Sequence, residues 1–287
     1  MNLTVDDITF GYDSSRNVIE HLSFTYNSPE VLCILGSNGM GKSTLLQCII
    51  GAFPISKGTI TIDGKGVNDY KARDFARKVA YIPQSHTPSF AYKVIDIVTM
   101  GRTSRIGYLA NPSDDDVAFA HEQLDYLGVG HLSEKPYTDI SGGERQLVMI
   151  ASALTQEPEL MILDEPTAHL DFGNAYRFVE LVEKLRERNM GVLMTTHFPD
   201  HALMLGSKTA VLSGGRIVAE GLARDVITDE SMRELYGIEV HVKHIGSRIV
   251  CIPGPLDENG LYEIRLLPTN SLGTRLSIAL SCNSVLV

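Results

Sequence analysis

Five consecutive apolar residues, 31–35 (VLCIL), run directly into Gly36-Ser37-Asn38-Gly39-Met40-Gly41-Lys42-Ser43-Thr44. No other stretch restricts the fold as strongly. An unbroken apolar run of this length reads as a strand buried on both faces, which points to a parallel sheet covered by helices. The loop after it has glycine at 36, 39 and 41, so its backbone can curl tightly and aim successive N–H groups at one point. Residues 42–51 (KSTLLQCIIG) then set Leu45, Leu46, Ile49 and Ile50 at helical spacing, with Gly51 as a stop. A helix starting at such a loop turns its positive end toward whatever anion the loop holds. The spacing Gly36-x4-Gly41-Lys42-Ser43 fits the phosphate-binding pattern GxxxxGK[ST]. In that pattern Lys42 bridges the β- and γ-phosphates of a nucleotide, Ser43 offers a hydroxyl to Mg²⁺, and Thr44 adds a phosphate contact. On its own the motif means only an NTPase.

The remaining pattern alternates strands with helices. Residues 2–35 read as short strands, with Leu3, Val5 and Ile8 alternating loosely with polar residues. Residues 58–64 (GTITIDG) and 78–83 (KVAYIP) add two more. From about 85 to 159 the texture becomes helical, with clear helices at 114–127 and 142–155 among irregular stretches rich in Ser, Pro and Gly. A strand at 160–164, an amphipathic helix at 175–189, a strand at 191–196 and a hairpin around Gly214-Gly215 follow. The expected architecture is α/β: a largely parallel sheet, with a helical insertion at about 85–159. The main domain is expected to span 1–237, and 238–287 to form a small extension of short β-like runs without a catalytic signature.

Composition narrows the function. With 287 residues, 44% of them hydrophobic, the chain can bury a sizeable core. A formal net charge of −10 argues against nucleic acid held on a broad basic face, but not against a nucleotide held by amides and one lysine. No apolar run nears the roughly 18–20 residues that span a bilayer. The opening MNLTVDDITF lacks the layout of a signal peptide. Cys33, Cys48, Cys251 and Cys282 are scattered, so buried thiols in a reducing cytosol are expected rather than a disulfide framework or zinc site.

A second constellation lies at 160–165, where four apolar residues end in Asp164-Glu165. An ordinary buried strand capped by acidic turn residues has the same look. With a phosphate loop upstream, the pattern reads as a Walker B strand, in which Asp164 holds Mg²⁺ through water and Glu165 polarises the attacking water.

Ile140-Ser141-Gly142-Gly143-Glu144-Arg145-Gln146 closely resembles the LSGGQ signature of ABC ATPases, in the variant ending Glu-Arg-Gln. It lies between the phosphate loop and the Walker B strand, where that family has it. The same residues also suit a helix start capped by Ser141. Further positions match the family in order: Tyr12 the adenine-stacking aromatic, Gln84 the Q-loop and Mg²⁺, Asp171 the D-loop and His197 the switch histidine. Each has a plain structural alternative, as a solvated loop residue, a strand-end cap or a half-buried aromatic. The resemblance covers roughly residues 1–237 and implies a P-loop NTPase core with an N-terminal antiparallel β subdomain and the helical insertion. It also implies ATP and Mg²⁺ as ligands, and a head-to-tail dimer. There Ser141, Gly142, Gly143 and Glu144 of one subunit complete the nucleotide site of the other, while Glu165, His197 and Gln84 serve hydrolysis.

One nucleotide site without a membrane segment resembles an importer ATPase that docks on two separate permease subunits at the cytoplasmic face of the membrane. A substrate-binding protein would be an indirect partner. Residues 90–102 (FAYKVIDIVTMGR) resemble the iron-siderophore, haem and cobalamin uptake ATPases, and residues 195–199 (TTHFP) the molybdate/tungstate members. The segment around 85–112 is expected to form much of the groove for the permease's coupling helix. The alternative is a soluble ABC ATPase, such as the iron–sulfur assembly type.

Overall fold

The computed structural model describes residues 1–13, 16–84, 90–107, 110–168 and 170–254. Two sheets face each other across one core. Strands β1 (Asn2–Phe10) and β2 (Ile19–Asn27) pair antiparallel. Strand β3 (Val31–Leu35) leads to helix α1 (Lys42–Ile49), and β4 (Lys57–Ile62) and β5 (Lys65–Gly66) then return to the first sheet, in the order β2-β1-β4-β5. Leu3, Val5 and Ile8 of β1 are all buried, and they pack with α1 and the large sheet in a shared apolar layer.

The large sheet is built from β3 and strands far along the chain. Short helix α2 (Ala72–Ala76) precedes β6 (Val79–Ile82), and helices α3 (Val94–Met100), α4 (Asp114–Tyr126) and α5 (Gly142–Thr155) follow. Next come β7 (Leu160–Leu163), α6 (Phe172–Glu187), β8 (Gly191–Thr196), α7 (Pro199–Leu205), β9 (Lys208–Ser213) and β10 (Arg216–Leu222). The order across the sheet is β10-β9-β3-β8-β7-β6. Strands β9, β3, β8, β7 and β6 run parallel, and β10 is antiparallel at the edge. All residues of β3, β7 and β8 are buried, which is why these runs are continuously apolar instead of alternating.

The insertion between β6 and β7 has its own core. Val94 and Val98 of α3, Ala120 and Leu124 of α4, and Val148 and Ala151 of α5 pack together with no exposed surface. Helix α6 begins three residues before the expected position 175. Asp171 caps it, its Oδ1 accepting from the Asn174 N–H at 2.8 Å, so the first turn carries polar residues that the apolar spacing did not mark. Past β10, α8 (Ala223–Val226) and α9 (Asp229–Tyr236) lead to a hairpin of β11 (Val240–Ile245) and β12 (Arg248–Pro253). Val240 is buried in the main core, and Val242 and Cys251 pack against it.

Candidate functional site

The sheet order dictates where the site must be. Strands running parallel end on the same edge, so the loops after β3, β6, β7 and β8 meet there. Those loops carry Gly36–Thr44, Gln84, Asp164-Glu165 and His197. Gly36 N–H donates to Thr196 O at 3.2 Å, tying the phosphate loop to the end of β8. Gly41 precedes α1 at φ 94°, a conformation that side chains disfavour, and an added Cβ there would press on Val18 and Ile19. A cleft of about 710 Å³ opens above the loop. Asn38, Gly39, Met40, Gly41, Lys42, Ser43 and Thr44 line it, and Tyr12, Gln84 and Glu165 face the same space.

At its centre Lys42 and Glu165 form an ion pair with Nζ–Oε1 2.8 Å, the two residues being only 4% and 7% exposed. Lys42 Nζ also donates to the carbonyls of Gly36 at 2.8 Å and Ser37 at 3.0 Å. The other carboxylate oxygen of Glu165 accepts from Gln84 Nε2 at 3.2 Å and lies 3.1 Å from His197 Nδ1. Three residues expected to serve hydrolysis thus meet at one carboxylate. Asp164 sits beside them, 3% exposed, and its Oδ1 accepts from Thr195 Oγ1 at 2.8 Å. The same hydroxyl accepts from the Glu165 N–H at 2.8 Å. Thr195 therefore fixes both acids, a role outside the motifs read from the sequence. A threonine closing an apolar strand was the available signal. Burial, then the charge of Asp164, pushes the Tyr81 phenol up to about 12.

Tyr12 is 66% exposed, with its hydroxyl 2.9 Å from Thr44 Oγ1 and its ring edge-on to Phe10 and Phe53. The ring stands at the rim of the cleft. Arg16, Asn17, Val18 and the turn Gly214-Gly215 complete the lining and were not predicted. Ser141, Gly142, Gly143 and Glu144 lie apart from this cleft, at the start of α5. Ser141 and Glu144 close a capping box, in which the Ser141 N–H donates to Glu144 Oε2 at 2.7 Å and the Glu144 N–H to Ser141 Oγ at 3.3 Å. The Ser141 backbone N–H, then its side chain, hold the Glu144 carboxyl below its ordinary range. Gly143 lies close to Asn174, so this turn neighbours Asp171 at the start of α6. His169 lies outside the described residues.

A second hollow, of about 990 Å³, lies between α2 and α3. Arg73, Ala76, Thr99, Met100, Ile106 and Pro112 are among its walls, and its surface is mainly apolar. This is the region where the segment 85–112 was expected to form a groove; its residues 85–89 and 108–109 lie outside the described residues. Among the described residues no helix is long and apolar enough to cross a membrane, and no group of three or more His, Cys, Asp and Glu side chains is placed to hold a metal ion.

Comparison with known proteins agrees with this geometry. The family model described as ABC transporter matches residues 19–168. The molybdate import ATP-binding protein MolC of Haemophilus influenzae is 34% identical over 82% of this chain and 87% of its own length. The hemin import ATP-binding protein HmuV of Hahella chejuensis is 32% identical over 79% of this chain and 90% of its own. A solved structure of a metal-chelate type ABC transporter, in an inward-facing conformation, superposes with a TM-score of 0.77 at 32% identity, covering 89% of this chain and 98% of that one. The chain belongs to the ABC transporter family, of which it is an ATP-binding cassette and an ATPase.

Proposed function

We propose that this chain is the ATPase subunit of an importer and that it acts as a head-to-tail dimer. The observation that carries the dimer is the separation within one chain: Lys42 and Glu165 share a cleft, whereas Ser141–Glu144 lie outside it. Ser141 tops a fourteen-residue helix whose positive end faces outward, a ready donor for the γ-phosphate of a nucleotide bound by another copy. In each composite site the Tyr12 ring supports the adenine and the loop 36–44 cradles the phosphates. The γ-phosphate draws Lys42 away from Glu165, which frees that carboxylate to orient water, with His197 and Gln84 holding it in place.

The donor set suits Mg²⁺, a hard cation that favours oxygen. Ser43 and Asp164 would hold it, Asp164 having one oxygen engaged by Thr195 and a second to offer through water, with Gln84 nearby. The ion would neutralise charge on the phosphates. The apolar hollow between α2 and α3 supports docking of one permease subunit on each copy of the chain, two per dimer, at the cytoplasmic face of the membrane. The molybdate and hemin relatives favour a metal chelate or metal oxyanion as cargo, delivered by a substrate-binding protein.

Mixing two inactive variants tests the dimer. Lys42→Ala and Ser141→Arg each abolish turnover alone. Mixed, they create heterodimers with one intact composite site, so ATPase activity returns. Absence of any recovery, with heterodimers demonstrated by pull-down, removes the head-to-tail arrangement. Uptake by the reconstituted complex tests the cargo, and no transport of any chelate or oxyanion sinks that reading.

A further inference from the structure

The C-terminal helix and hairpin reach back to the reaction centre, and nothing in the motif set accounts for this. Tyr236, the last residue of α9, donates its hydroxyl to the carbonyl of His197 at 2.7 Å. The next atom pair of the same peptide unit is also held, since Phe198 N–H donates to Thr196 Oγ1 at 3.0 Å. Both polar groups of the His197–Phe198 peptide are therefore fixed from opposite sides. Anchoring that peptide fixes the backbone on the C-terminal side of the His197 Cα, from which the ring that faces Glu165 at 3.1 Å projects. Just beyond, Pro199 opens α7, and its ring limits the backbone further.

Tyr236 is itself braced. Gly237 ends α9 in the left-handed region at φ 68°, and the chain turns into β11. Asp229 at the start of α9 accepts the Val242 N–H at 2.8 Å. On the other strand, the Cys251 N–H donates to Asp200 Oδ1 in the first turn of α7 at 3.0 Å. The route α9–β11–β12–α7 is thus a closed bracket around the segment 197–200. Burial, followed by the charges of Cys251 and Asp200, pushes the Tyr236 phenol well above its ordinary value, so the hydroxyl keeps its proton and remains a donor.

We propose that Tyr236 is a positioning residue for His197, and that the C-terminal hairpin holds it in place through Asp200. The inference rests on His197 holding the Glu165 carboxylate for hydrolysis, as set out above. Without the bracket His197 still exists, but its ring samples positions away from Glu165, so chemistry slows while nucleotide binding is untouched.

The test uses the full-length chain. Tyr236→Phe, which removes one oxygen, lowers kcat about fivefold with KM for ATP within twofold, the effect of one lost neutral hydrogen bond. Asp200→Ala lowers kcat in the same way, and Asp200→Asn, which keeps an oxygen for the Cys251 N–H, restores it. In a His197→Ala background, with residual turnover followed over hours, Tyr236→Phe causes no further loss. The His197 ring resonances, read by ¹⁵N–¹H NMR, shift in Tyr236→Phe. If Tyr236→Phe and Asp200→Ala both keep wild-type kcat, or if the losses with His197→Ala are additive, the inference is overturned. Loss of activity only in step with loss of folded protein overturns it as well. If His197→Ala itself turns over normally, it is the assignment of His197 that fails.

Discussion

Glu165→Gln separates the ion pair that the structure shows between this carboxylate and Lys42 from the hydrolytic role proposed for it. With Lys42 only 4% exposed, the substitution leaves a buried ammonium facing an amide oxygen and the carbonyls of Gly36 and Ser37. Deleting one partner of a buried pair outright costs about 3–5 kcal/mol. Glutamine keeps an acceptor in the same place, which lowers the cost to about 2 kcal/mol. At roughly 2–4 °C per kcal/mol for a domain of this size, the nucleotide-free variant should melt about 4–8 °C below wild type. ATP then stabilises the variant more than the wild type, since phosphate supplies the negative charge that Lys42 lost. Losing the group that orients water lowers kcat by about 10²–10³. Thermal melting with and without ATP gives the first quantity, phosphate release the second, and gel filtration in ATP shows a persistent dimer. Turnover within twofold of wild type refutes the hydrolytic role of Glu165. An unchanged melting temperature without nucleotide refutes the energetic weight given to the ion pair.

Other outcomes follow from the packing around the site. Burial, then repulsion from His197, lowers the His201 imidazole to about 4 from 6.5. The unfolded chain therefore takes up this proton first as the pH falls, so the stability tied to neutral His201 is complete above pH 6.5 and is lost progressively toward pH 4, in all about 3 kcal/mol. Urea titrations of His201→Gln should show a shallower loss over that window, and identical pH profiles count against the assignment. Gly101 at the end of α3 leaves no room for a Cβ against Ser152 O and Thr155 Oγ1 of α5, so Gly101→Ala should cost about 1–3 kcal/mol of stability in chemical denaturation. Full stability of that variant means the two helices can separate freely.

The site splits into what is local in the chain and what is not. The loop 36–44, the pair Asp164-Glu165 and the turn Ser141–Glu144 stood out as candidates, because each motif is a few neighbouring residues whose types reflect backbone curvature, an acid pair at a strand end or helix capping. The boundaries of β3, α5 and β8 were equally legible, since burial on both faces or a strong 3.6-residue period leaves a pattern in the letters. The start of α6 was not, because an N-cap supplied by Asp171 precedes the apolar spacing.

What only the tertiary structure decided are contacts between residues remote in sequence. Thr195 bridging Asp164 to the backbone of Glu165, Tyr236 reaching His197 and Asp200 holding Cys251 all need the sheet order and the final helix to be in place. The phosphate loop itself was evident as a cradle from its glycines and its flanking strand and helix. Its charge balance was not: the motif gave Lys42 the expected task of meeting phosphate, and the fold set Glu165 against it, since β3 and β7 flank β8 in one parallel sheet and end on the same edge. A sequence specifies which groups a loop carries, whereas the packing of strands specifies which of them share a low-dielectric space and must neutralise one another.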